Sequence, residues 1–177
     1  MRADRRYDKG AIIFHWAIAF LIFVAFRLGL TVDDFPKTWS GTMVNIHALI
    51  GLSVLILSFA RLGWRLFHIR PELPPGIDWI TKRVSSVFHF VLYSLMILVP
   101  LIGIPTLLFR GLNFGLFEIA SPFSRTPEIY RPLTTLHEFA GYALIGLAAG
   151  HVLAALYHQF VRRDGVMRHM LPILRGH

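Results

Sequence analysis

Three histidines, His137, His151 and His158, lie within the last apolar run of the chain, Leu136 to Gln159. At about 100° per residue, His151 falls about 40° from His137 around a helix and His158 about 20° further, so all three share one stripe. Ionisable side chains inside an apolar span are rare and usually mark cofactor, ion or proton paths. An imidazole bound to haem iron meets that requirement directly. The stripe also holds Gly141, Leu144, Ala148 and Ala155, mostly small, so a flat and bulky group can lie close to the backbone. Fourteen residues at 1.5 Å each set His137 and His151 about 21 Å apart along the axis, a spacing that fits two stacked haems. The plainer alternative is histidines hydrogen-bonded to neighbouring helices, and it weighs most for His158, where the run meets water.

The elements that must position these groups are four apolar runs, at about residues 11–30, 42–67, 84–109 and 133–160. Each is long enough to cross the hydrocarbon of a bilayer. The first run carries His15 and Trp16 one turn inside its start, and Arg27 near its far end. The second has His47 near its start, and the stripe that His47 defines continues through Gly51, Val54, Ser58, Arg61 and Arg65. Arg61 stands fourteen residues after His47, where a symmetric pair of haem-binding helices would have histidine. A second haem must then take its other ligand from a different helix. Arg61 and Arg65 become candidates to pair bidentately with haem propionates, the alternative being ordinary interface arginines. The third run carries His89 and Tyr93 on one face, and Pro100 and Pro105 are expected to kink or soften its far half. Pro71, Pro74 and Pro75 preclude a continuous helix through the basic connection at 68–83. The connection at 110–132 is the longest and is a candidate for a short helix on the membrane surface.

Composition supports this reading. The chain has 177 residues, 55% of them hydrophobic and 16% charged, which indicates a polytopic membrane protein in a lipid bilayer. It lacks cysteine. That excludes disulfides, thiolate metal sites and the C-x-x-C-H attachment of c-type haem, so any haem here is b-type. The formal charge of +8 does not signal nucleic acid, because the basic residues flank apolar runs and form no soluble face. Arg2, Arg5, Arg6 and Lys9 precede the first run as in a signal peptide. Its length, the lack of a small-residue cleavage site, and His15 and Trp16 within it read instead as a retained span.

Orientation follows from the basic residues. Thirteen Lys and Arg fall at the N-terminal segment, the 61–83 region and the C-terminal tail, against five on the opposite side, Arg27, Lys37, Arg110, Arg125 and Arg131. The positive-inside rule then places both termini in the cytoplasm. The expected fold is an all-α membrane protein, a single antiparallel four-helix transmembrane bundle over 1–177, without repeats or a soluble domain. In that bundle His47 and His137 both lie near the start of a helix descending from the outer side, so they meet at one level. Each is followed four residues later by glycine, Gly51 and Gly141, which clears space for a porphyrin edge. At the inner level stand His15, His89, His151 and His158, and depth alone does not choose between His15 and His89 as partner to His151.

The ordered set of His15-Trp16, His47, His89-Phe-Val-Leu-Tyr93, Pro100 and Gly103, Arg110-Gly111, and His137, His151 and His158 resembles the bacterial cytochrome b561 family. That family is related to the dihaem cytochrome b subunits of formate dehydrogenases and nickel–iron hydrogenases. The resemblance covers nearly the whole chain. It implies two haem b groups, with His15 paired to His151 and His47 to His137 on iron, in a bacterial inner membrane. His89 and His158 are then left near the inner haem as candidates to bind a quinone carbonyl and assist its protonation, or to hydrogen-bond propionates. In its closest part the family resemblance implies superoxide oxidation at the outer haem and ubiquinone reduction at the other end. Lys37, Arg110, Arg125 and Arg131 are candidates to draw the superoxide anion toward the outer haem. The alternative function is a membrane anchor passing electrons between a separate dehydrogenase or hydrogenase and quinone. A metal-ion path is disfavoured, because Glu138 is the only acidic residue inside a span.

Overall fold

The computed structural model describes residues 7–68, 77–113, 118–121, 123 and 127–171. Four helices dominate it: α1 Lys9–Thr31, α2 Lys37–Phe67, α3 Trp79–Arg110 and α4 Pro127–Tyr157. All four are long and apolar enough to span a membrane. Even α1, with 23 residues, extends to about 35 Å, beyond the roughly 30 Å of bilayer hydrocarbon. α1 packs on α2, α2 on α3 and α3 on α4, while α4 closes lightly against α1.

Helix ends follow capping chemistry and so overrun the apolar runs. Asp8 caps α1, accepting from the Ala11 amide at 3.0 Å. Asp78 caps α3, accepting from the Thr81 amide and the Thr81 hydroxyl, both at 2.8 Å. This cap starts α3 more than a turn before the apolar stretch that begins near Val84. α4 likewise starts at Pro127, a residue suited to a first helical turn because its missing N–H would be unpaired there anyway. α3 runs unbroken through Pro100 and Pro105. The Thr106 hydroxyl donates to the Gly103 carbonyl at 2.6 Å.

Much of the connection after α3, where a short surface helix is a candidate, lies outside the described residues, at 114–117, 122 and 124–126. Gly111, at φ 77, ends α3 with its N–H on the Leu107 carbonyl. A two-residue antiparallel pair follows, β1 Leu112–Asn113 against β2 Glu118–Ile119, with Leu112 opposite Ile119. The Ser121 hydroxyl then donates to the Leu108 carbonyl, folding the loop back on the helix end.

The tight core is one layer at mid-height, with one residue from each helix: Ile18, Val54, Met96 and Leu144. Val54 lies seven residues from both His47 and Arg61, and Leu144 seven from both His137 and His151. The histidines therefore sit above and below this layer. Ser58 is fully buried beside it in α2, its hydroxyl lacking a hydrogen-bond partner among the described residues. Around the outside, large apolar side chains such as Phe20, Phe139 and Leu153 are about two-thirds exposed. A water-soluble chain of this length would bury most of them, whereas lipid solvates them.

Candidate functional site

At one end of the bundle, the end expected to face outward, His47 of α2 and His137 of α4 face each other with ring centroids 5.9 Å apart and planes at 87°. The two rings are held in matching ways. His47 Nδ1 donates to the Ala25 carbonyl of α1 at 2.8 Å, and His137 Nδ1 to the Val99 carbonyl of α3 at 3.0 Å. One turn past each acceptor is a glycine. A Cβ added to Gly29 would sit 3.2 Å from His47 Cε1, and one added to Gly103 would sit 3.0 Å from His137 Cε1. Each imidazole thus lies against bare backbone of the neighbouring helix. With Nδ1 committed as donor, a neutral ring keeps the Nε2 lone pair for a metal or a proton. Gly51 and Gly141, one turn below the two histidines, border open space in which an added Cβ would meet nothing within 4 Å.

At the opposite end, the one expected to face inward, three rings converge on His151. Its centroid lies 6.2 Å from that of His15 and 5.2 Å from that of His89, and Phe88 stacks over it at 6.4 Å. His89 Nδ1 donates to the Ser85 carbonyl at 2.6 Å. Arg61 and Arg65, one turn apart on α2, both place their guanidinium carbons 5.4 Å from the centre of the Tyr93 ring, so one aromatic face orients two cations. The indole of Trp64 donates to Asp8 Oδ1 at 3.0 Å and stacks on His68 at 4.1 Å, tying the start of α1 to the end of α2. Gly10 permits this contact, since a Cβ there would fall 2.5 Å from the Trp64 ring.

His158 stands apart from that trio. It opens a π-helical turn, His158–Arg162, that ends α4, and its Nδ1 donates to Asp164 Oδ2 in a short ion-pair contact. Asp164 lies outside the apolar run, and its meeting with His158 depends on a turn that no periodicity announces.

Of the basic residues expected on the outer side, Lys37, Arg110 and Arg131 lie toward the His47–His137 end. Lys37 is the exposed first residue of α2, and Arg131 is exposed in the early turns of α4. Arg110 closes α3 and approaches Gly41 of α2. Arg125 lies outside the described residues. Asp33, Asp34 and Glu128 share this end, so its surface charge is mixed. Among the described residues no cluster of three or more His, Cys, Asp or Glu side chains is arranged to hold a bare metal ion.

The profile of the prokaryotic cytochrome b561 family matches residues 6–172. The chain is 29% identical to a probable superoxide oxidase, CybB, of Yersinia pestis, over 97% of this chain and 99% of the relative. It is also 29% identical to cytochrome b561 homolog 1 of Escherichia coli K12, over 94% of this chain and 97% of the relative. A cytochrome b562 of Cereibacter sphaeroides is 27% identical, over 97% and 98% of the two chains. With four membrane-spanning helices and a family profile that covers nearly every residue, the chain belongs to the prokaryotic cytochrome b561 family, whose members carry b-type haem.

Proposed function

We propose that this protein holds two b-type haems, one between His47 and His137 and one between His15 and His151, and passes electrons from superoxide on the outer side to ubiquinone at the inner end. The observation that carries this reading is the spacing of the histidine pairs. Two imidazoles on opposite faces of one iron, with metal–nitrogen bonds of about 2 Å and about 1 Å more to each ring centre, place their centroids roughly 6 Å apart. The pairs stand at 5.9 and 6.2 Å. The 5.2 Å between His89 and His151 is short for that purpose, which favours His15 as the ligand and leaves His89 beside it. The interplanar angles raise no objection, because ligands standing upright on one plane are free to rotate about their common axis. Open space beside Gly51 and Gly141 supplies room for the macrocycle edge.

If haem were held by His47 with His137 and by His15 with His151, it would supply one-electron chemistry at these sites. The chain does the rest. Ala25 and Val99 carbonyls fix the tautomer and direction of the outer ligands. Arg61 and Arg65, steadied by Tyr93, are placed to pair with propionates at the inner level. Lys37, Arg110, Arg125 and Arg131 give the outer end cations that draw a small anion, and outer-sphere transfer needs only proximity to the haem edge. His89 and His158 are the candidates to receive the quinone. By the count of basic residues both termini face the cytoplasm, and the membrane is the bacterial inner membrane. The likeness to a probable superoxide oxidase along its whole length supports superoxide as the donor.

Three measurements test this. Purified protein should carry two haems per chain, and one or none contradicts the dihaem reading. His47→Ala and His137→Ala should each remove the same haem spectrally and spare the other. A superoxide pulse given anaerobically should reduce the haems and then added ubiquinone; haem that stays oxidised excludes this donor. A large redox enzyme that co-purifies and is needed for haem reduction would favour the anchor role instead.

A further inference from the structure

The histidine at the end of α4 is not used by either haem, and the structure builds around it with care. α4 changes from an α to a π turn at His158, a feature that persists mostly where function requires it. The turn closes on Arg163 at φ 52, the one non-glycine residue in the left-handed region among those described. The amide of Asp164 then returns to the His158 carbonyl at 3.4 Å. This geometry brings the Asp164 carboxylate onto His158 Nδ1. Asp164 is itself fixed, since its Oδ1 accepts from the Val166 amide at 3.3 Å. Both side chains are more than four-fifths shielded, at 18% and 16% exposure. A cavity of about 260 Å3 lined by Gln159, Phe160, Arg163 and Gly165 opens on the same turn.

We propose that Asp164 and His158 form the proton-loading pair for quinone reduction at the inner end. The proposal rests on the quinone reading above. His158 Nε2 would be the group that touches the quinone oxygen, and Asp164 is a positioning residue. Its carboxylate accepts from Nδ1–H and so fixes the orientation of the ring that passes the proton. The chemistry balances: two superoxide anions each lose one electron and become dioxygen, and one quinone gains two electrons and two protons to become quinol. Both protons come from the inner aqueous phase. Other charged or titratable groups bear on the pair. Arg162 stands between Asp164 and Asp78 of α3, to whose Oδ2 it comes within 3.9 Å. Arg163 follows in the same turn, and the Tyr157 ring stands 6.0 Å from His158. From α1 the neighbour is neutral, the Trp16 indole donating to the Met170 carbonyl at 3.1 Å.

The experiment uses the full chain with both haems loaded, comparing wild type, Asp164→Asn and Asp164→Glu. Haem content and the rate of haem reduction by superoxide are read first and should match in all three. Steady-state reduction of a soluble ubiquinone analogue is then followed against pH. Asp164→Asn should slow it at neutral pH by about tenfold or more, a conservative share of what a positioned proton donor supplies. The pH profile should change with it, because the group that orients the proton-carrying ring is gone. Asp164→Glu should recover most of the rate. An unchanged rate and profile in Asp164→Asn with intact haems overturns the proposal. If Asp164→Asn is recovered without haem, His158→Gln decides instead: an unchanged rate and pH profile with intact haems overturns the proposal. Wild-type protein whose haems accept electrons but reduce no quinone refutes the functional reading itself, a separate outcome.

Discussion

Gly29 and Gly103 are the residues on which the outer histidines lean, and each makes a sharp prediction. Gly103→Ala puts a methyl 3.0 Å from His137 Cε1, and Gly29→Ala puts one 3.2 Å from His47 Cε1. Both rings must then tilt away from their carbonyl acceptors. The expected result is a shifted outer-haem spectrum and a loss of roughly 10–100-fold in haem retention, larger for Gly103, since disturbing a ligand's outer support usually costs that much. Gly141→Leu should also expel the outer haem, whereas Gly146→Leu, on an exposed face of the same helix, should not. Ser58→Ala removes a buried hydroxyl that has no partner among the described residues, so thermal stability is expected to hold or to rise by about 1 kcal/mol. The histidines were legible in the sequence because fourteen-residue spacing along one stripe is a property of a single helix. The supporting glycines were not, because Gly29 meets His47 only after α1 and α2 pack. Asp164 stayed hidden for a related reason: the π turn changes the register that carries His158 to it.

Helix ends were legible only in part, since apolar periodicity marks where lipid begins and caps mark where the helix begins. Asp78 and Pro127 extend α3 and α4 beyond their apolar runs. Asp8→Ala removes both the cap of α1 and the acceptor of the Trp64 indole, and should cost about 1–2 kcal/mol, seen as a lower midpoint in thermal unfolding. Three inner-end carboxyls lie below the ordinary carboxylate range. Burial alone raises Asp8, but the Ala11 amide, the Trp64 indole and His68 outweigh it. The Thr81 amide and hydroxyl lower Asp78. At Asp164 burial again raises the carboxyl, and His158, the Val166 amide and Arg162 together prevail. A depressed carboxyl stabilises the fold fully above its unfolded value of about 3.9 and loses that contribution as pH falls through the lower folded value. Acidification below about pH 4 should therefore loosen the inner end first. The emission of Trp64, with the other three tryptophans replaced by Phe, should change before the outer histidine pair is disturbed.

For the whole molecule, the exposed apolar belt and the uneven basic residues argue for one orientation, and the absence of cysteine makes it easy to measure. A single Lys37→Cys should react with an impermeant maleimide from outside intact cells, and His68→Cys only after the membrane is opened. The reverse pattern would invert the bundle. The four-helix architecture was readable from composition and run length alone. The loop after α3 was not, since a left-handed glycine and a serine clamp leave no periodic trace.

The layer of Ile18, Val54, Met96 and Leu144 has an electrical consequence. Among the described residues these four side chains offer no polar group by which protons could follow electrons across, so in the proposed reading the bundle would conduct one and insulate against the other. In the proposed orientation, negative charge moving inward must climb the resting voltage, at about 2.3 kcal/mol per electron for each 100 mV. Turnover would then charge the membrane, and an already energised membrane would hold turnover back.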